Sequence, residues 1–448
     1  MSYAAAIDQL NAMAPELYAN SGQPRRKFSL DEIGILLDAL GNPQRRVPSV
    51  LIAGTNGKGS TASTLVSILT ASGVSRTGLY TSPHLARPNE RIRVGRAEIA
   101  DDAFASLFFR ILDAARQLVA DGRLPQMPSY FEILTAQALL FFAEVRVKLA
   151  VLEVGMGGRL DATNIVDPLL SVITDISIDH TEWLGSTIAA IAREKAGILR
   201  RRGTLVTLPQ HPEANQVLDE MVAELGVRVV SAAPYLPPMG AGAAGRYCVN
   251  ALGATIRVDS PLAGAHQQRN VALAIAAAVE LACNHGFPVT PATIAEGIRK
   301  TRWPGRLERI ERDGVEWILD VAHNPAGAWA LRAGLDAVLS DAAGEGRPRT
   351  LIFSCLRDKP IAEMAQILFP LFDQVILAPI QTARAAARDS LLAAAEATGV
   401  RALAAESVGQ AMQLARQCAQ PSVIVVSGSV YLVGEARTLL LAESGDQL

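Results

Sequence analysis

An apolar run, Val50-Leu51-Ile52-Ala53, breaks straight into Gly54-Thr55-Asn56-Gly57-Lys58-Gly59-Ser60, after which a helical pattern begins with Leu65, Ile68 and Leu69. A strand that ends in glycines, a lysine and a hydroxyl and then opens a helix is suited to cradling phosphate. Glycine lets backbone N–H groups turn inward at φ values other residues avoid, and the helix start adds partial positive charge. Lys58 can reach phosphate oxygens, and Ser60 can face Mg2+. The spacing departs from the general G-x-x-x-x-G-K-[ST] pattern: two residues separate Gly54 from Gly57, and Gly59 stands between Lys58 and Ser60. A plain glycine-rich turn with an exposed lysine is the competing reading of this stretch alone. Use of a nucleoside triphosphate is the reading favoured.

The 448 residues suffice for two or three domains, each able to bury a core. Lys and Arg nearly balance Asp and Glu, for a formal net charge of −2, so no field of one sign recruits nucleic acid or an anionic membrane. A small-molecule substrate is expected. Cys248, Cys283, Cys355 and Cys418 lie far apart without a C-x-x-C pair, which argues against a zinc site and a disulfide framework. No basic segment followed by an apolar one marks the first residues, and runs such as 319–322 and 423–426 are far shorter than the ~20 residues of a membrane span. A soluble, cytoplasmic monomer is expected.

Short β-branched runs at 50–53, 149–154, 171–174 and 204–207 alternate with alanine-rich helical stretches, and a second series follows at 317–321, 350–353, 375–378 and 423–426. That alternation predicts parallel βαβ units and an α/β chain of two doubly wound domains. Between the series, Ala233 to Gly245 is rich in Pro, Gly and Ala. The alternating stretch Tyr247 to Val258 after it predicts a small antiparallel piece inserted in the first domain. A Pro-Gly turn at Pro304-Gly305 marks the expected junction, giving domains of 1–302 and a smaller 303–448.

Four positions carry candidate chemistry. Glu153 ends a strand before Gly155-Met156-Gly157-Gly158, at the edge of a parallel sheet where ligands bind, and its hard oxygens suit Mg2+. Asp179-His180 follows another strand at the same edge. Lys195 shares the apolar helical face of Ile188 and Ile191. It either snorkels to solvent or, desolvated and neutral, reacts with carbon dioxide to give a metal-binding carbamate. Asp320, in Asp320-Val321-Ala322-His323-Asn324-Pro325, either contacts ligand from a strand end or caps the helix at Pro325.

These segments together resemble the folylpolyglutamate synthase and dihydrofolate synthase family, related to the Mur peptide ligases, over nearly the whole chain. The marks are Gly54 to Ser60; Tyr80 to Leu85 with Asn89-Glu90-Arg91; Ser129 to Glu132; Glu153 to Asn164; Asp179 to Leu184; Arg193 to Gly197; Trp303 to Glu308; and Asp320 to Pro325. The resemblance implies a P-loop ATPase-like first domain and a Rossmann-like second. It implies that ATP phosphorylates a carboxylate of dihydropteroate or of a reduced folate, and that the amine of L-glutamate then captures the acyl phosphate. Carried onto this sequence, it implies that Asn56, Gly57, Lys58, Gly59 and Ser60 cradle the phosphates. By the same resemblance, Asn270, Arg306 and Asp320 would contact the nucleotide. Ser82 and Glu153 would hold one Mg2+, and His180 with carbamylated Lys195 would help hold a second. Lys58, His180, Lys195 and His323 would lie near the reacting groups. Ser129, Tyr130, Phe131 and Glu132, with Leu160, Asp161 and Ala162, match segments that bind the pterin-bearing substrate. Two rival readings stay open: a Mur-type ligase of cell-wall precursors, and a noncatalytic ATP-binding regulator.

Overall fold

The computed structural model describes residues 2–13, 29–238, 246–339, 347–417 and 422–442; Cys418 and the 239–245 part of the Pro/Gly/Ala-rich stretch lie outside them. The first strands are β1 (Ser49–Ala53), β2 (Thr77–Tyr80), β3 (Ile92–Val94), β4 (Ala97–Glu98), β5 (Leu149–Glu153), β6 (Leu170–Ile173), β7 (Thr204–Thr207) and β8 (Arg228–Ser231). They form one sheet in the order β4-β3-β2-β5-β1-β6-β7-β8, parallel except for the antiparallel β3 and β4 at one edge. β1 is central. Its residues alternate between two cores: Leu51 and Ala53 pack to one side, Val50 and Ile52 to the other, and β5 divides Ala150 and Leu152 from Leu149 and Val151 in the same way. Both faces are therefore covered, as a parallel sheet requires.

The helix Lys58–Ala71 starts from Gly57, whose φ of 88° is a left-handed value, and it is buried on nearly every side. Glycine permits this burial at its flank: a Cβ on Gly297, in the helix Pro291–Arg299, would fall 2.3 Å from Ile68 Cα. The predicted antiparallel insertion is present as β9 (Arg246–Ala251) and β10 (Ala254–Asp259). Leu252 and Gly253 both take positive φ in its two-residue turn, the requirement of a type I′ hairpin.

The remaining strands are β11 (Glu308–Arg312), β12 (Val315–Asp320), β13 (Arg349–Phe353), β14 (Gln374–Leu377), β15 (Ala402–Ala404) and β16 (Ser422–Ser427), in the order β11-β12-β16-β13-β14-β15. Only β11 is antiparallel to its neighbour. β16 again splits its side chains, Val423 and Val425 into one core and Ile424 and Val426 into the other. The two large sheets are therefore doubly wound, as the alternation predicts, with β9 and β10 as a separate antiparallel pair.

Gly297→Ala is expected to push its helix off Ile68, whose backbone cannot yield as a side chain would, and to cost about 1–3 kcal/mol. A urea midpoint equal to that of the unaltered protein contradicts this packing.

Candidate active site

Parallel pairing brings three strand ends to one line. Val154 N–H donates to Ile52 O at 2.9 Å and Thr174 N–H to Ala53 O at 2.9 Å, so the glycine-rich loop, Glu153 and the segment after β6 share one edge. The loop is tied down on the β6 side. Thr55 N–H donates to Asp175 O at 2.8 Å, and Thr174 Oγ1 donates to Asn56 O at 2.7 Å. Gly54 has no alternative residue here, because a Cβ would lie 1.8 Å from Thr174 Oγ1.

A cleft of ≈2530 Å³ runs between the two sheets. Ser82, Glu153 and His180 line it from the first domain, and Arg306, His323 and Lys359 line it from the second. Ser129 to Glu132 and Leu160 to Ala162 line it as well. Residues 56–60, Lys195, Asn270 and Asp320 do not line it, although Lys195 and Asn270 both pack against the glycine-rich loop. Lys58 Nζ donates to its own loop, at Gly54 O (3.0 Å) and Thr55 O (3.1 Å), and Lys195 Nζ donates to the same Gly54 O at 2.8 Å. The Asn270 amide lies against Gly57, where a Cβ would fall 2.1 Å from Asn270 Oδ1.

The Ser82 N–H donates to Glu153 Oε2 at 3.1 Å. Burial pushes the Glu153 carboxyl up, opposed by Lys58, the Ser82 N–H and Arg306. The Arg306 guanidinium makes no hydrogen bond or ion pair among the described residues, and burial lowers its pKa against the pull of Asp320 and Glu153. Among the described residues no group of three or more His, Cys, Asp or Glu side chains is arranged to hold a metal. Ser82 and Glu153 nevertheless fit Mg2+, which takes hard oxygens, keeps waters and shares phosphate oxygens with its substrate.

Asp320 does not cap the helix Pro325–Leu339. Its Oδ2 accepts from Leu307 N–H and its Oδ1 from Ala322 N–H, each at 2.9 Å, and burial raises its pKa. Asn324 caps instead, its Oδ1 accepting from Gly327 N–H at 2.7 Å. The free Asn324 amide nitrogen then crosses to the first domain, donating to Asp179 Oδ2 at 3.1 Å and Asn56 Oδ1 at 3.3 Å.

Lys359, which the sequence reading passed over, completes this crossing with an ion pair to Asp179 at 2.8 Å. Burial alone would raise the Asp179 carboxyl, yet His180 and Lys359 hold it well below the ordinary carboxylate range. His180, its side chain 38% exposed at the cleft, is lowered to about 4 by partial desolvation, against the opposing Asp179 and with help from Lys359. His323 is likewise lowered to about 4 by burial, with Lys359 adding to it. His323 Nδ1 lies 2.8 Å from Val321 O, and a carbonyl can only accept, so the proton of the neutral ring sits on Nδ1 and Nε2 is free to accept.

The expected substrate segments have structural duties of their own. Ser129 and Glu132 form a capping box on the helix Tyr130–Glu144, and Glu132 Oε2 accepts from both Ser129 N–H and Oγ–H at 2.7 Å. Asp161 accepts from Thr163 N–H, Thr163 Oγ–H and Met156 N–H, which fixes the Leu160–Ala162 turn. Phe131 presses against Gly155, where a Cβ would meet its ring at 2.5 Å.

A family model of the Mur ligase middle domain matches residues 52–278, and one of the Mur ligase glutamate ligase domain matches 305–430. The folylpolyglutamate synthase of Lacticaseibacillus casei is 36% identical over 449 residues, covering 98% of this chain and 99% of that protein. The chain belongs to the folylpolyglutamate synthase family of Mur ligases. The dihydrofolate synthase/folylpolyglutamate synthase of Mycobacterium tuberculosis is 37% identical over 457 residues, covering 92% of this chain and 90% of that one. A crystal structure of the Mycobacterium tuberculosis folylpolyglutamate synthase complexed with ADP and AMPPCP matches with a TM-score of 0.85 at 34% identity, over 98% of each chain. As a member of this family the chain is an ATP-dependent ligase with the two-domain Mur ligase fold.

Lys195 does not snorkel. It is 4% exposed, and burial, reinforced by Lys58, lowers its amine to about 7. The unfolded chain, with an ordinary lysine, binds more protons than the native state between about pH 7 and the ordinary lysine value, so stability rises with pH across that window. Below it the cost of burying the charge is present in full.

Lys195→Met is expected to raise the melting temperature by a few degrees at about pH 6, with the difference shrinking toward about pH 10 as the native amine loses its charge. Differential scanning fluorimetry across that range checks this, and a lower melting temperature at pH 6 contradicts it. Lys359→Met should open the cleft by removing the partner of Asp179. Small-angle scattering is expected to give a larger radius of gyration than the unaltered chain, and an identical radius contradicts the crossing.

Proposed function

We propose that this chain joins L-glutamate to dihydropteroate, giving dihydrofolate, and to the glutamate tail of reduced folates, through an acyl phosphate. The observation that carries the reading is the meeting of the glycine-rich loop with Glu153 at one sheet edge, with Arg306, His323 and Lys359 lining the cleft from the second domain. A carboxylate oxygen of the acid attacks the γ-phosphorus of ATP, and ADP leaves. The glutamate nitrogen then attacks the acyl carbon, phosphate leaves, and the nitrogen gives up a proton. His323 Nε2, neutral and free to accept, suits that proton.

Asn56 to Ser60 and Asn270 would hold the nucleotide on the first domain, and Arg306 and Asp320 would reach it from the junction and the second domain. Lys58 would leave its two loop carbonyls for the phosphates. Ser82 and Glu153 would hold one Mg2+ and His180 with carbamylated Lys195 a second, supplying charge neutralisation at the transferring phosphoryl group. An amine titrating near 7 is roughly half neutral at pH 7, which suits it to attack carbon dioxide and release a proton. Ser129 to Glu132 and Leu160 to Ala162 would receive the pterin end. The protein would work as a cytoplasmic monomer of two units, 1–302 and 303–448, closing on ATP. Among the described residues no helix is long and apolar enough to cross a membrane.

Incubation with dihydropteroate, L-glutamate and MgATP is expected to yield an amide and one phosphate per amide, while a nucleotide-linked cell-wall precursor yields neither. Lys58→Ala should lower amide formation by about 10²–10³-fold, the cost of removing one fixed group that stabilises transition-state charge. Unchanged turnover in that variant contradicts the reading. ATP binding without substrate-dependent hydrolysis in the unaltered chain would favour the regulator instead.

A further inference from the structure

Of the segments Tyr80 to Leu85 and Asn89 to Arg91, the proposed chemistry uses only Ser82. The others build a rigid shelf at the cleft. The N–H groups of Leu85, Ala86 and Arg87 all donate to the Glu90 carboxylate, each at 2.8 Å, and Glu153 holds the Ser82 N–H at the other end. Leu85 is wedged under the second domain, where a Cβ on Gly434 would lie 2.0 Å from Leu85 O. His84 stands between these anchors and lines the cleft.

Its ring is fixed from one side. Arg91 Nε donates to His84 Nδ1 at 2.8 Å. Arg91 itself is only 7% exposed, and its guanidinium lies 5.4 Å from the centre of the Tyr130 ring. A guanidinium offers donors and no acceptor, so Nδ1 accepts and the proton of the neutral imidazole sits on Nε2. Among the described residues no other hydrogen bond reaches His84. The shelf therefore holds an oriented, unpartnered N–H donor beside the Ser82–Glu153 pair.

We infer that His84 is a substrate-binding residue whose Nε2–H donates to the carboxylate that becomes activated. The inference rests on the ligase reading above. A neutral donor orients one carboxylate oxygen without cancelling the charge that makes the other nucleophilic. Once that other oxygen carries the phosphoryl group, the same N–H stands at the carbonyl oxygen, where negative charge develops as the amine attacks.

The test is steady-state kinetics of His84→Phe and His84→Asn with dihydropteroate and ATP varied in turn. His84→Phe is expected to lower kcat/KM for dihydropteroate by about 10–100-fold, the range of a hydrogen bond to a charged group, while KM for ATP changes by less than about twofold. His84→Asn, which keeps an N–H donor, should recover part of the loss. An unchanged KM and kcat for dihydropteroate, or an equal rise in KM for both substrates, overturns the inference. So does equal impairment in the two variants. Should His84→Phe fail to fold, 15N NMR of the unaltered protein decides through the ring tautomer: a proton on Nε2 supports the donor role, and one on Nδ1 overturns it. Failure of the unaltered chain to form an amide would instead count against the ligase reading.

Discussion

The parallel hydrogen bonding of β1 to β5 on one side and β6 on the other is the constraint from which the site follows. Because both neighbours run in the same direction as β1, their carboxyl ends must finish beside its own, and the next residues of all three strands turn off the same edge. One strand delivers a glycine loop, another Glu153 and the third Thr174-Asp175. The loop has no slack. Thr174 fills the space a side chain at Gly54 would need, and Asn270 fills that beside Gly57. Glycine is demanded here by neighbours as well as by φ.

The second sheet contributes little backbone to this edge and much charge. Lys359 and Asp179 are nearly buried, an arrangement whose desolvation cost is offset only when the partners meet closely and further hydrogen bonds complete them. Asn324 supplies one such bond to Asp179 while touching Asn56 of the glycine-rich loop. Polar groups therefore carry part of the contact between the domains, beside the apolar contact that Leu85 makes with the second.

Much of this was legible in the chain because it was written locally. The central strands are short, largely apolar runs, Glu153 ends one of them before three glycines, and Lys195 interrupts an apolar stripe that the structure buries as its spacing predicts. Elements decided by distant partners were not legible. β8 and β11 are short edge strands with no fully buried residue, whose pairing comes from a neighbour rather than from their own pattern. Lys359 reads as an ordinary loop lysine until Asp179, 180 residues away, is placed against it. Asn324 is legible in the sequence, since an Asn directly before a helix-opening Pro is a capping signal. The tautomer of His84 depends on Arg91 seven residues on, across a turn that Glu90 shapes.

If the acid is activated by taking the γ-phosphoryl group, the oxygen that receives it must leave with phosphate when the amide forms. Dihydropteroate labelled with 18O in its carboxylate, turned over with MgATP and L-glutamate, reads this directly. The account predicts one labelled oxygen per amide in the released phosphate. Phosphate free of label, with amide formed, would contradict it.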